Sequence, residues 1–209
     1  MFAGITPERL VEMTEQEGRW FENIKKAFYE SDRAYAEGRP QDTCFPELCK
    51  AVDTAKTLRR SLRGDDVSFK DNRRRFLEFL NCELPSPDTG GLRVDLVDSS
   101  TADEISCSFA ELVYDIRCKV HENENLNAAE APNYHILIDW TPRECNFFGF
   151  VSAGRLTCNG HSVWRRLREI LAKFITGIDG MISFATNRSF SITCAPPLGS
   201  VRPRRVIGQ

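Results

Sequence analysis

Hydrophobic positions recur at helical spacing through the first half of the chain. Thr6 followed by Pro7 marks a helix start, with Leu10, Val11 and Met13 continuing a short segment. Trp20, Ile24, Ala27, Phe28 and Tyr35 share one face of a second helix, which stops at Gly38-Arg39-Pro40. A third begins near Phe45-Pro46, lines up Phe45, Leu48, Cys49, Val52, Ala55 and Leu62, and ends at Gly64. Phe69, Phe76, Leu77 and Leu80 predict a fourth, finished before Pro85.

Pro85-Ser86-Pro87-Asp88-Thr89-Gly90-Gly91 is the clearest interruption. Leu92, Val94, Leu96 and Val97 then alternate as in a short strand or loop, and a helix is expected from about 102 to 122. After a polar loop, Tyr134 to Trp140 has strand composition, with His135 as an edge residue. Phe147 to Val151 and Leu156 to Cys158 suggest a hairpin or two short strands. Val163, Leu167, Ile170, Leu171, Phe174 and Ile178 mark a last helix, closed by Gly180. The pattern predicts a mainly α fold, a helical bundle with a small β-hairpin or strand insertion before the last helix. Residues 1–194 read as one helical domain with an internal loop at 85–91, and 195–209 as a flexible basic tail.

Composition narrows the function classes. Apolar residues are 41% of the chain and charged residues 28%, as in ordinary globular proteins. No apolar run reaches the roughly 18 to 20 residues that span a bilayer, so no membrane partner is expected. The N-terminus lacks the pattern of a secretory signal, and the expected location is cytoplasmic. The eight cysteines are then expected to be mostly reduced thiols, Cys49 and Cys82 among them on apolar faces. The formal net charge of −2 excludes a globally basic nucleic-acid binder. Arginines nevertheless cluster at Arg59, Arg60 and Arg63, at Arg73, Arg74 and Arg75, at Arg165, Arg166 and Arg168, and at Arg202, Arg204 and Arg205. Solvated helix faces and a basic tail explain such runs, and so does a phosphate-facing patch if they converge in space.

One helix concentrates chemistry. At about 100° per residue, Phe109, Leu112, Val113, Ile116 and Val120 form an apolar sector. Ala110, Tyr114, Arg117 and His121 form a second stripe beside it, and Asp115 with Lys119 reads as an exposed pair on another face. Arg117 and His121 are one turn apart and can address one ligand. An imidazole takes or gives protons near neutrality, and a guanidinium forks onto two phosphate oxygens. Together they suit metal-independent phosphodiester cleavage in RNA, with a second copy across a dimer axis supplying the other acid–base group.

The segment Leu112-Val113-Tyr114-Asp115-Ile116-Arg117-Cys118-Lys119-Val120-His121-Glu122 resembles the signature helix of HEPN-type proteins, and the helix at 163–178 resembles the closing helix of such bundles. The resemblance implies a helical bundle that dimerises so that two Arg–His motifs form one ribonuclease site, with no cofactor. Arg117 would bind phosphate and His121 would act as acid and base, with Tyr114 and Glu122 contacting substrate. RNA, a second copy of the chain and a neutralising protein are the implied partners. The spacer here is three residues with Cys118 after Arg117, whereas four to six residues and a polar follower are usual in the family.

Two other readings compete. In a non-catalytic interaction or scaffold module, Arg117 would be tied to a buried carboxylate, with Glu111, Glu122 or Glu124 as partner. Alternatively, Cys118 with His121 and Cys158 with His161 make two Cys-x-x-His pairs, enough sulfur and imidazole for a tetrahedral zinc.

Overall fold

The computed structural model describes residues 2, 4–39, 43–68, 71–83, 93–97, 104–120, 135–140, 149–152 and 155–193. They are mainly helical: α1 (Pro7–Val11), α2 (Glu15–Ala36), α3 (Phe45–Leu62), α4 (Asn72–Glu83), α5 (Phe109–Val120) and α6 (Gly160–Thr193). The strands are β1 (Arg93–Val97), β2 (Glu104–Ser108), β3 (His135–Asp139), β4 (Gly149–Ser152) and β5 (Arg155–Asn159).

The helix starts follow local chemistry. Thr6 Oγ1 accepts from the Arg9 amide, and Pro7 fills the first turn of α1. Thr14 and Glu17 form a reciprocal capping box at the head of α2. Glu17 is buried and also accepts from Arg9 Nη2 at 2.5 Å and Ser61 Oγ at 2.6 Å, so one carboxylate ties α1, α2 and α3 together.

α3 is the central helix, in contact with α2, α4, α5 and α6. Its expected face (Phe45, Leu48, Cys49, Val52, Ala55 and Leu62) is buried throughout. One hydrophobic cluster runs from these residues into the other helices and Cys158 of β5, with Phe45, Phe76, Phe109 and Phe174 at its deepest points. Burying a side chain of that size stabilises the fold by about 1.5–3 kcal/mol, which outweighs the weak intrinsic preferences of short helices.

The structure departs from the sequence expectation in three places. Residues 104–108 are not the first turn of the α5 helix. They form β2, antiparallel to β1, with Leu96 opposite Ile105 and Val94 opposite Cys107. Ser106 and Ser108 favour an extended or capping conformation over a helix interior, so the helix begins at Phe109. The β structure is also larger than one insertion. Besides β1–β2 there is a three-stranded sheet of order β3-β5-β4, parallel between β3 and β5 and antiparallel between β5 and β4. His135 therefore lies on an edge strand, as expected.

Finally, α6 does not stop at Gly180 but continues to Thr193. A helical glycine costs only about 1 kcal/mol relative to alanine. Here α6 packs against α1, and Phe2 stacks on Phe174 beside Gly177. The loop at 85–91 and the tail at 195–209 lie outside the described residues.

Candidate functional site

Leu112, Val113 and Ile116 anchor α5 in the core, which fixes the azimuth of its neighbouring stripe. Arg117 leaves that stripe toward α3. Its Nε donates to Asp53 Oδ2 at 2.8 Å, and Nη2 makes an ion-pair contact with the same oxygen, also at 2.8 Å. The other oxygen of Asp53 accepts from Lys56 Nζ at 2.6 Å, and Lys56 also donates to Asn72 Oδ1 at the head of α4. The Arg117 and Asp53 side chains are 11% and 26% exposed. Arg117 is thus tied to a half-buried carboxylate, Asp53, 64 residues away and outside the expected candidates; of those candidates, Glu122 and Glu124 lie outside the described residues.

Arg117 and Asp53 sit in the wall of a cleft of 270 Å³ between α3, α4 and α5. Lys56, Thr57, Arg60, Val67, Ser68, Asn72 and Arg75 are the other described residues that line it. Among the described residues, four cations and the Asp53 carboxylate therefore line one small volume. Burial pulls the Lys56 ammonium below its ordinary value, with Arg117 and Arg75 adding to the effect against the pull of Asp53. Burial also works against the Arg117 charge, but Asp53 more than offsets it and holds the guanidinium above its ordinary value. Arg75, 9% exposed, donates to the Ser68 carbonyl and pairs with Asp66 at 3.5 Å, while its Nε has no hydrogen-bond partner among the described residues.

The other expected residues are distributed unevenly. Tyr114 is buried edge-on to Phe76, 5.5 Å between ring centroids, with the Arg73 and Arg117 guanidinium carbons 5.7 and 5.8 Å from its ring. Burial pushes its hydroxyl up to about 12, so it stays protonated at neutral pH. It stands behind the cleft wall and is not part of the lining. His121 and Glu122 lie outside the described residues. Asp115 is not a plain surface carboxylate: it is half-buried, and burial pushes it up to about 6 despite Arg73 nearby.

The zinc ligand set meets a specific obstacle at His161. The Trp140 carbonyl can only accept, so His161 Nε2 carries the proton in that bond. Nδ1 is then the acceptor for the Tyr35 hydroxyl, 2.7 Å away. Both nitrogens are occupied by protein partners, in a cluster where Tyr35 also stacks on Trp164 at 3.8 Å. Cys118 is a buried free thiol, as are Cys44 and Cys49, and Cys158 is a buried cysteine of β5. Burial pushes Cys44 up to about 11 and raises Cys49 and Cys118, which leaves these sulfurs poor nucleophiles.

Of the three arginine clusters within the described residues, two send a member to the cleft: Arg60 from α3 and Arg75 from α4. On α6, by contrast, Arg168 makes two 2.7 Å bonds to Asp32 and Arg166 pairs with Glu169. Asp53, Lys56 and Asn72 had no motif to announce them. On α3 the spacing of Asp53, Lys56 and Arg60 looks like any charged helix flank beside an apolar face, and only the approach of α4 and α5 turns it into a site.

The chain matches no protein-family model, no curated protein and no solved structure at a significant level.

Proposed function

We propose that this protein binds RNA, with the cleft between α3, α4 and α5 as its phosphate subsite and Arg117 as the HEPN-like element of that subsite. The observation that carries this reading is the convergence of Lys56, Arg60, Arg75 and Arg117 on one small cleft in a chain whose net charge is −2. A local excess of cations in an otherwise acidic molecule focuses the field on one place and draws in anions.

Cleavage is the further step of the same reading. The guanidinium of Arg117 would carry charge that grows on the phosphate in the transition state. His121, one turn on in sequence, would take the proton from a ribose 2′-hydroxyl or return one to the leaving oxygen. A second copy of the chain would supply the other half of that exchange.

Fluorescence anisotropy with a labelled single-stranded RNA, repeated over a range of salt concentrations, tests binding. Affinity should fall with added salt and fall again in Arg60→Gln, which sits at the half-buried edge of the cleft. Cleavage of the same RNA in EDTA, abolished in His121→Ala, tests the chemistry. Salt-independent binding, or none, eliminates the RNA reading.

The Asp53–Arg117 pair favours a second reading, a non-catalytic interaction module in which Arg117 holds α5 onto α3. Binding without cleavage, unchanged in His121→Ala, supports that alternative.

A further inference from the structure

We infer that the cleft is a receptor for a phosphate monoester dianion, carried either on the phosphorylated end of an RNA strand or on a free mononucleotide. This deepens the RNA reading above and rests on it, replacing strand backbone by strand end as the group that the cleft selects.

The cations come from three helices and line one cleft. Lys56 and Arg60 are one turn apart on α3, Arg75 comes from α4 and Arg117 from α5. A backbone of diesters presents single charges in series, and a protein that follows it sets its cations along an open track. Here they surround 270 Å³, just below the roughly 300–1,000 Å³ that encloses a drug-sized ligand. The space suits one compact anionic group. Near neutrality a phosphate monoester carries about −1.5 to −2, against −1 for a diester, and offers three acceptor oxygens. Among the described residues the four cations are opposed by Asp53 in the wall and by Asp66 on Arg75, and the excess of two positive charges matches the larger charge better.

Arg75 supplies an independent indication. Its side chain is almost fully covered, its two terminal nitrogens are engaged by Ser68 and Asp66, and Nε is left without an acceptor. That leaves a buried charged donor unsatisfied in a guanidinium that lines the cleft.

The lining also explains why phosphate and not base would be read. Among the described residues it contains no aromatic side chain. Phe76 lies 5.5 Å from Lys56 Nζ and 5.7 Å from the Arg117 guanidinium, where it supports the cations and offers no stacking platform to the cleft. Asp53 already bridges Lys56 and Arg117, so an incoming anion must compete with it, and a dianion competes more strongly than a monoanion.

The test measures binding of one short RNA in three forms, with a 5′-phosphate, a 3′-phosphate, or hydroxyls at both ends, to the full chain. At least one phosphorylated form should bind about tenfold tighter than the hydroxyl form. Arg60→Gln, with its fold checked by circular dichroism, should reduce that preference severalfold. A nucleoside monophosphate that competes as well as the phosphorylated strand assigns the free nucleotide, and one that competes far more weakly assigns the strand end. Equal affinity for all three forms overturns the dianion site while leaving RNA binding intact. Absence of binding to any form overturns both.

Discussion

Asp53 on α3 holds Arg117 on α5: Nε of the guanidinium donates to one carboxylate oxygen and Nη2 lies in ion-pair contact with it, each at 2.8 Å. Because the other oxygen of Asp53 holds Lys56, which in turn reaches Asn72, three helices are joined through one negative charge. The stretch of α5 with the most suggestive sequence is thus fastened to a residue that carries no sequence signal.

Removing Arg117 therefore tests structure as well as function. Arg117→Ala should destabilise the fold by about 2 kcal/mol, less than a fully buried pair because Asp53 keeps Lys56. A double-mutant cycle with Asp53→Ala, followed by urea unfolding, should give a coupling energy of about 1–2 kcal/mol. Strict additivity of the two substitutions would contradict the pairing.

Asp115 predicts a pH effect of definite sign. Its folded value lies near 6 against an ordinary 3.8, so between those values the folded chain keeps a proton that the unfolded chain has lost. Stability from this group therefore falls as pH rises through that window, by at most about 3 kcal/mol. Asp115→Asn should be more stable than the parent at pH 7 and equal to it near pH 3.5. Urea midpoints at the two pH values check this.

Glu17 predicts the opposite sign. Burial alone would raise it, but hydrogen bonds from Ser61, Arg9 and the Thr14 amide bring it down to about 2 from an ordinary 4.5. Its contribution is complete above pH 4.5 and is lost as pH falls toward 2, on the order of 3 kcal/mol. Glu17→Gln should lose about that much stability at pH 7, and the deficit should shrink steadily as both proteins are taken to pH 2.5.

Two glycines of α6 should respond oppositely to alanine. At Gly160 a new Cβ would lie 2.7 Å from the Trp140 ring and 2.9 Å from Ile138, so Gly160→Ala should cost about 1–3 kcal/mol and disturb the near-ultraviolet signal of Trp140. At Gly180 a Cβ meets nothing within 4 Å, and Gly180→Ala should stabilise by about 0.5–1 kcal/mol. Thermal unfolding of both variants distinguishes the sites.

Much of the helical architecture was legible along the chain. The apolar faces of α2, α3, α5 and α6 can be read from spacing, because burial of one stripe is a local, periodic property. The start of α5 was less legible: Ile105 and Cys107 extend a pattern compatible with helix, and only pairing with β1 settles 104–108 as strand. Gly180 looked like a stop because a glycine marks a helix end when nothing else holds the backbone, and the contacts of α6 supply that hold.

By itself the sequence determined that the chain is mainly helical, that Arg117 lies next to a buried stripe, and that positive charge comes in clusters. Each of these depends on neighbours within a turn or two. Only the tertiary structure decided that Arg117 meets Asp53, that Arg60 and Arg75 join it while Arg168 finds Asp32 elsewhere, and that His161 is held by Tyr35 and Trp140. Those relationships join residues up to 136 positions apart. They follow from the packing of whole helices, which no local spacing encodes.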